Sequence, residues 1–320
     1  MGTDQIEDNE IPVFLINGFL DSGKTSFINY TVSEDYFHID GNTLLICSEE
    51  GETQYDAKIL KREHTFLYTI DDEDQLTKEF IAELCEKHSC ERVVIELNGM
   101  WDPIEVELPE NFLLYQQITV MNGESLTTYL NNMKALMGPM LRNTELLLIN
   151  RCDDISEETL LSWKRQLRPM LMQGAMIVME NKYGEVPLDT IPEDLPYDVN
   201  TDDIIIEPEN YGIWFIDCRD YPERYEGKKI TFTAQVMKHP EFPKDCFVPG
   251  RMAMTCCEAD MAFLGYMAHY DKISAFADES WIRLTARMEM KELPQYEGEG
   301  PFLEVLKIAH TGEIKEPAGF

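Results

Sequence analysis

Basic side chains are scarce in this sequence. Its 320 residues include 27 lysines and arginines against 60 aspartates and glutamates, which gives a formal net charge of −33. A surface this negative repels the phosphates of nucleic acids and of anionic lipids, so we expect no nucleic-acid partner. The simplest interpretation of the acidic excess is a solvated face, and attraction of metal cations is the alternative.

The sequence also lacks long hydrophobic runs. No uninterrupted apolar stretch approaches the length of a membrane span, and the acidic segment 1–10 has neither the basic start nor the apolar stretch of a signal peptide. We therefore expect a cytoplasmic protein that does not insert into a membrane. The eight cysteines do not form a small disulfide framework in a chain this long, and we expect them to be reduced.

One short stretch matches a nucleotide-binding motif without a mismatch. Gly18-Phe-Leu-Asp-Ser-Gly-Lys-Thr25 fits G-x-x-x-x-G-K-[ST], the pattern of a phosphate-binding loop. An apolar run, 11–16, precedes it, and a segment with helical spacing, 25–32, follows it. This is the strand–loop–helix order that the loop requires, and it disfavours the alternative of a similar turn without a ligand.

The motif predicts a role for each residue of the loop. Gly18 and Gly23 allow the tight backbone path, and the backbone N–H groups from Asp21 to Thr25 are expected to face the phosphates. Lys24 is predicted to reach the β- and γ-phosphates, and the Thr25 hydroxyl to ligate Mg²⁺. The predicted nucleotide-binding residues of the loop are Gly18, Asp21, Ser22, Gly23, Lys24, Thr25 and Ser26.

A second motif predicts which base is bound. The apolar run 146–149 ends in Asn150-Arg-Cys-Asp153, an N-[KR]-x-D arrangement. A carboxylate at Asp153 can accept from both N1–H and the exocyclic amine of guanine, a pair of donors that adenine lacks. Arg151 stands where lysine is usual, and we expect it to stack on the base. The alternative is an ordinary cap before the helix that begins near Ser156.

Two acidic segments complete the predicted site. Glu96 closes the buried run 92–97 and is predicted to hold Mg²⁺, usually through water, while Gly99 offers a backbone N–H to a γ-phosphate. Glu49, in the acidic turn 48–52, is a further candidate for Mg²⁺ or another metal. The alternatives are a plain strand end and a plain acidic turn. The predicted catalytic residues are Lys24, Thr25 and Glu96.

The pattern along the chain predicts two domains. Up to about residue 195, apolar runs alternate with amphipathic segments such as 74–88 and 156–172, which favours an α/β fold with a mostly parallel sheet. Five short β-type runs follow a proline-rich acidic stretch, which favours a small barrel or sandwich. The predicted division is a polar tail 1–10, a P-loop domain 11–195, a linker 196–210 and an all-β domain 211–320.

Taken together, these motifs resemble the CobW-type family of P-loop GTPases, relatives of the nickel chaperones of urease and hydrogenase. The similarity covers about residues 11–195, and its motifs are the loop 18–25, the turn 48–52 with Asp56, and Glu96, Gly99, Asp102 and Pro103. The resemblance implies a slow hydrolysis of GTP to GDP and phosphate with Mg²⁺. It also implies a role in metal homeostasis or metal delivery, with a metal of the zinc type.

Two features depart from that family. Its C-x-C-C motif is absent, because residues 61–68 read KREHTFLY. Residues 210–320 instead resemble an uncharacterised bacterial domain with an OB-like barrel and a Thr-Cys-Cys-x-x-Asp motif, a domain associated with metal-responsive permease systems. Cys256, Cys257 and Asp260, joined by Cys246 or Cys218, are therefore a candidate Zn²⁺ site, and simple packing of the cysteines is the alternative.

The predicted function is a GTPase switch that acts on an unknown metal-dependent client or a permease-associated protein. A non-enzymatic adaptor, which binds GTP and docks a protein through the barrel, is the alternative, and a homodimer is an open possibility. A small-molecule kinase is disfavoured by Asn150 and Asp153, because these residues favour guanine over adenine.

Overall fold

The computed structural model of the chain describes residues 10–49, 51–188, 195–254, 261–293 and 298–320. The chain forms two compact units. The first comprises the described residues within Met1–Leu160 and Gly174–Thr190, and the second those within Leu161–Gln173 and Ile191–Phe320. None of the helices in the described ranges combines the length and the apolar character needed to cross a lipid bilayer.

The first unit is built on one sheet. Its described strands are β1 Ile11–Asn17, β2 Asn42–Cys47, β3 Thr65–Thr69, β4 Cys90–Glu96, β5 Phe112–Asn122, β6 Leu146–Asn150, β7 Met176–Asn181 and β8 Gly184–Glu185. Their order is β3-β2-β4-β1-β5-β6-β7-β8, and the neighbouring pairs from β3 to β7 are parallel. The central strands form continuous buried runs, in which Leu44, Val93 and Ile95 are fully buried. Such runs are typical of a parallel sheet covered on both faces.

Helices connect these strands. They are α1 Lys24–Ser33, α2 Ala57–Arg62, α3 Lys78–His88, α4 Gly123–Asn132, α5 Lys134–Leu141 and α6 Glu157–Leu167, the last divided between the two units. The sequence sets the bounds of α3, for example. The Thr77 side chain caps its first turn by accepting from Phe80 N, and its buried residues Ile81, Leu84 and Cys85 lie at helical spacing.

The register of the sheet places the predicted site residues at one edge. Ile16 pairs with Glu96, and Asn122 pairs with Asn150. The carboxyl ends of β1, β4 and β6 therefore meet beside the loop that follows β1. In open α/β sheets this edge is the usual place for a ligand.

The second unit is mostly antiparallel. Its described elements are β9 Asp203–Ile205, α7 Tyr211–Asp220, β10 Lys229–Met237, β11 Cys246–Met254, β12 Met261–Gly265, β13 Ala268–His269, β14 Trp281–Leu293 and β15 Gly298–His310. The strand order is β12-β11-β13-β15-β14-β10-β9, and an additional pairing of β10 with β11 closes five of these strands into a barrel. The barrel core includes the fully buried side chains of Phe232, Phe247 and Leu284 and is covered by Trp214 of α7.

The structure confirms the predicted fold class, a P-loop-type α/β sheet followed by a β-rich unit. Two elements of the second unit were not predicted. The predicted linker 196–210 contains β9, which pairs with β10. Helix α7 lies where an all-β pattern was expected, and its inward residues Tyr211, Trp214 and Cys218 are buried at spacings of three and four. Prolines flank this short periodic stretch on both sides, and for this reason the sequence pattern did not indicate a helix there.

Candidate functional site

The phosphate-loop motif connects β1 to α1, and two of its positions require glycine. Gly18 and Gly23 have φ angles of +139° and +103°, in a region that other residues rarely adopt. A Cβ on Gly18 would lie 2.1 Å from the carbonyl oxygen of Val120, and one on Gly23 would lie 2.6 Å from Asn150 Nδ2. The backbone of the loop is thus pressed against β5 and the end of β6, which lie on the same side of β1.

Ser22 departs from the arrangement expected of the loop. Its backbone N–H donates to Phe19 O at 3.1 Å, which closes a turn inside the loop instead of leaving the group for a phosphate. Its hydroxyl oxygen is buried without a hydrogen-bond partner among the described residues. A buried polar atom of this kind calls for a partner that the described residues do not supply.

Lys24 lies in the cleft with its ammonium group fully engaged. Nζ donates to the carbonyl oxygens of Gly18 at 2.8 Å and Phe19 at 3.1 Å, and it forms an ion pair with the Glu49 carboxylate. The Lys24 side chain is only 3% exposed and that of Glu49 is 11% exposed. An ammonium group has three donors, so a phosphate can reach Lys24 only by displacing one of these acceptors.

Thr25 and Glu96, the two predicted Mg²⁺ residues, lie in direct contact. The Thr25 hydroxyl is 3.0 Å and 3.2 Å from the two carboxylate oxygens of Glu96. Glu96 is buried, and this burial raises the pKa of its carboxyl group above the ordinary value. A buried carboxylate beside a threonine hydroxyl is a pair of oxygen ligands of the kind that Mg²⁺ binds.

Tyr55 and Cys47 also contact Glu96, and sequence reasoning missed both. The Tyr55 hydroxyl donates to Glu96 Oε2, and burial beside that carboxylate raises the pKa of Tyr55. The Cys47 sulfur lies 3.8 Å from the same oxygen, and burial raises the pKa of this thiol to about 11, so it stays protonated near neutral pH. One sequence feature alone could have indicated that Cys47 lies at the site, namely its position at the carboxyl end of the run that forms β2.

The N-[KR]-x-D segment lies against the phosphate loop. Asn150 Nδ2 donates to Ser22 O at 2.8 Å, and the guanidinium of Arg151 donates to Asp21 O at 3.2 Å. The side-chain oxygen of Asn150 is buried and lacks a partner among the described residues. Asp153 is exposed, and one of its oxygens accepts from Lys182 N at 2.9 Å, which orients the carboxylate.

Gly99 also contacts the loop. A Cβ at this buried position would lie 2.4 Å from Gly18 O and 2.7 Å from Phe19 Cα. Ser26, by contrast, is exposed at the third position of the helix that follows the loop. The structure thus brings the predicted residues of the loop, of β4 and of the N-[KR]-x-D segment to one edge of the first unit.

The cleft at this edge is strongly polar and holds about 470 Å³, including the solvent at its mouth. Among the described residues, four carboxylates line it, those of Asp21, Glu49, Glu52 and Glu96, against the two cations Lys24 and Arg151. A polyphosphate entering this cleft meets more negative than positive charge. A divalent cation bound by Thr25 and Glu96 would offset that excess, so the residues present fit Mg²⁺.

The predicted zinc residues Cys256, Cys257 and Asp260 lie outside the described residues, and their role stays a prediction. The two cysteines suggested as their partners are described. Cys218 is fully buried in α7, and burial raises the pKa of its thiol. Cys246 begins β11, whereas Cys256 follows the end of that strand at Met254.

The nucleotide-binding domain of the CobW/HypB/UreG family matches residues 12–178, just over half of the chain. The chain belongs to this family. Residues 189–319 match the DUF1980 C-terminal domain. Both halves of the resemblance noted from the sequence are thereby confirmed, with the second half now matched to a named domain of uncharacterised type.

Several solved structures show a more distant similarity to this CobW/HypB/UreG-family chain. The hydrogenase maturation factor HypB from Archaeoglobus fulgidus is 16% identical over 55% of this chain and 84% of that chain, with a TM-score of 0.41. HypB from Helicobacter pylori in complex with nickel is 12% identical over 53% and 79%, with a TM-score of 0.35. The 54 kDa signal recognition particle protein from Aeropyrum pernix K1 in complex with GDP is 14% identical over 56% and 43%, with a TM-score of 0.36.

Proposed function

We propose that this chain binds GTP with Mg²⁺ and hydrolyses it slowly to GDP and phosphate, and that the nucleotide state switches a metal-related interaction. The observation that carries the proposal is the contact between Thr25 and Glu96 beside Lys24, in the cleft formed by the phosphate loop. These three groups supply two oxygen ligands for a cation and one cation for the phosphates. Family membership supports a nucleotide as the ligand.

Each of these residues has a separate role in the proposed phosphoryl transfer. Lys24 exchanges the Glu49 carboxylate for oxygens of the β- and γ-phosphates, and the open N–H groups at the start of α1 hold the remaining phosphate charge. Thr25 and Glu96 would hold Mg²⁺, which neutralises charge on the phosphate oxygens when bound. A water oxygen attacks the γ-phosphorus, the bond to the β–γ bridging oxygen breaks, and GDP leaves with that electron pair. The water proton passes to the released phosphate or to solvent.

Asp153 is the residue proposed to select guanine. Lys182 N occupies one of its carboxylate oxygens at 2.9 Å and so fixes the orientation of the group. The exposed carboxylate is then free to accept from N1–H and the exocyclic amine of the base. Arg151, two residues before Asp153, donates from its guanidinium to Asp21 O in the phosphate loop.

Slow turnover follows from the residues that line the cleft. Among the described lining residues there is no glutamine to orient the attacking water, and Arg151 is the single arginine. Catalysis in this class depends on such groups for much of its rate. We propose that a partner, or a second copy of the chain, raises the rate in the cytoplasm. The partner is a metal-dependent client or a permease-associated protein, since a net charge of −33 disfavours nucleic acid.

The test combines binding and turnover on the purified full chain. Fluorescent GDP and GTP analogues are titrated with and without Mg²⁺, with ATP as competitor, and phosphate release is followed under steady-state conditions. We expect Mg²⁺-dependent binding of GTP, poor competition by ATP, and slow release of phosphate. Tight binding with no release above background would support the adaptor alternative, and equal competition by ATP would overturn the choice of guanine.

A further inference from the structure

A second group of side chains of metal-ligating types lies in the second unit, which contains none of the nucleotide-site residues named above. It consists of Asp245, His269 and Asp271. One carboxylate oxygen from each aspartate and one ring nitrogen of the histidine all lie within 4.8 Å of one another. None of these three residues has a role in the nucleotide chemistry proposed above.

The strand register of the barrel fixes the central histidine. His269 pairs with Cys246 of β11 on one side and with Glu304 of β15 on the other, so these three side chains form one row on one face of the sheet. Asp245 directly precedes β11, and its carbonyl oxygen accepts from Tyr270 N at 3.0 Å. The backbone around the group is therefore set by ladder and turn hydrogen bonds.

Glu304 orients the imidazole of His269. Its carboxylate lies 3.0 Å from His269 Nδ1 and also accepts from Lys291 Nζ at 2.6 Å. This leaves Nε2 as the ring nitrogen that faces the aspartates, 3.5 Å from Asp271 Oδ1. A carboxylate on the far nitrogen of a histidine is the usual outer support of a metal-bound imidazole.

The charges around the group leave room for a cation. Lys291 compensates Glu304. Apart from His269 itself, the only basic side chain within 4 Å of either aspartate, in the described part of the chain, is the exposed Lys244, 3.7 Å from Asp245. The alternative without metal is a protonated His269 bridging Glu304 and Asp271. A charge-assisted hydrogen bond of that kind favours about 2.7–2.9 Å, which is shorter than the 3.5 Å separation on the Asp271 side.

We propose that Asp245, His269 and Asp271 bind a divalent transition-metal ion of the zinc type, with water completing its coordination. One imidazole nitrogen with two carboxylate oxygens is a ligand set that suits Zn²⁺ and its neighbours better than Mg²⁺. Cys246 is adjacent in the row but outside the converging group, and the proposal does not require it. This proposal depends only on the geometry of these three residues. It is therefore independent of GTP binding and of the predicted role of Cys256 and Cys257.

The experiment is a zinc titration of the full chain, stripped of metal and free of nucleotide, against a competing indicator. It is done in the background Cys256→Ser/Cys257→Ser, so that this pair contributes nothing. We expect about one Zn²⁺ per chain, retained in the presence of excess Mg²⁺. His269→Gln is expected to weaken zinc affinity by at least about 100-fold, and Glu304→Gln, which removes the support of the ring, by about 10-fold or more.

The matched control is His239→Gln, because His239 is also partly exposed and also lies near a carboxylate, Glu241, at 3.7 Å. We expect this variant to bind zinc like its parent. A second variant separates loss of zinc binding from loss of folding. Because the side chain of Asp271 is 87% exposed, Asp271→Asn should leave the melting temperature unchanged and still weaken zinc affinity about 10–100-fold. No stoichiometric zinc in the Cys256→Ser/Cys257→Ser background, or unchanged affinity in Asp271→Asn, overturns the proposal.

Discussion

The nucleotide cleft and the barrel cluster differ in how far their charged side chains are exposed to water. Lys24 and Glu96 are 3% and 2% exposed, whereas the side chains of His269 and Asp271 are 34% and 87% exposed. In the cleft, charged groups are taken out of water and held by other protein groups until a ligand replaces them. In the barrel, the ligating groups keep much of their hydration.

This difference sets how strongly each place responds to mutation. Buried charges cost the protein when a partner is removed, because the remaining group is left desolvated and unpaired. Exposed groups lose little beyond the ligand contact itself. Variants in the cleft should therefore change the affinity for the ligand, and in some cases the stability of the fold, by more than variants in the barrel cluster.

Lys24→Ala should give the largest effect. It removes two or more charge-assisted bonds to phosphate, each worth about 1.5–3 kcal/mol, so GTP affinity should fall by about 1,000-fold. Equilibrium titration with a fluorescent analogue measures this, with the α2 variant Lys58→Ala as the control. Unchanged affinity in Lys24→Ala would remove the phosphate-loop assignment.

Asp153→Asn should change selectivity more than affinity. The amide no longer accepts from both guanine donors, so the preference for GTP over ATP should fall by about 100- to 1,000-fold. Competition titrations with both nucleotides measure it, and the neighbouring exposed Asp154→Asn serves as the control. Equal affinity of the unmodified chain for GTP and ATP would refute the guanine interpretation before any variant is made.

Gly99→Ala tests the close packing of the cleft. The new Cβ would lie 2.4 Å from Gly18 O, and the backbone there must shift to admit it. We expect a loss of about 1–3 kcal/mol of stability together with weaker GTP binding, measured by denaturant unfolding and titration. Gly312→Ala is the matched control, because its Cβ would meet no atom within 4 Å.

Glu49→Gln separates two roles of that residue. If Glu49 only competes with phosphate for Lys24, the variant should bind GDP about 10-fold more tightly in the presence of a Mg²⁺ chelator, because a neutral amide is the weaker competitor. If Glu49 also ligates Mg²⁺, the gain should disappear once Mg²⁺ is added. Unchanged affinity under both conditions would contradict the ion pair with Lys24.

Glu96→Gln tests the cost of the buried carboxylate through pH. Burial raises the pKa of Glu96 above the ordinary 4.5, so the folded state binds more protons than the unfolded state just above that value. Stability contributed by the protonated form is lost as pH rises through the raised pKa. The nucleotide-free variant should therefore melt about 2–4 °C above the parent near neutral pH, and no higher in acid. Exposed Glu91→Gln should show no such difference, and a variant that melts lower near neutral pH would contradict the argument.

The sequence indicated the cleft residues more readily than the barrel cluster. The reason is that the cleft is formed largely by short contiguous motifs, whereas the barrel cluster joins residues that are far apart in the sequence. The phosphate loop is contiguous, and its two glycines fix its geometry locally. The contacts of Tyr55 with Glu96 and of Glu49 with Lys24 depend on how the acidic segment folds back over the loop, which no periodicity reveals. The row formed by Cys246, His269 and Glu304 depends on the register of three strands, and alternation alone does not specify register.

The ion pair between Lys24 and Glu49 has a consequence for nucleotide exchange. When a phosphate leaves in the proposed function, the Glu49 carboxylate would return to the ammonium, so the buried Lys24 keeps a negatively charged partner in addition to the carbonyl oxygens of Gly18 and Phe19. In the proposed function, we expect this carboxylate to favour the release of GDP and to slow the entry of the next nucleotide. The measured rate of GDP exchange should therefore depend on how readily the Glu49 carboxylate leaves Lys24.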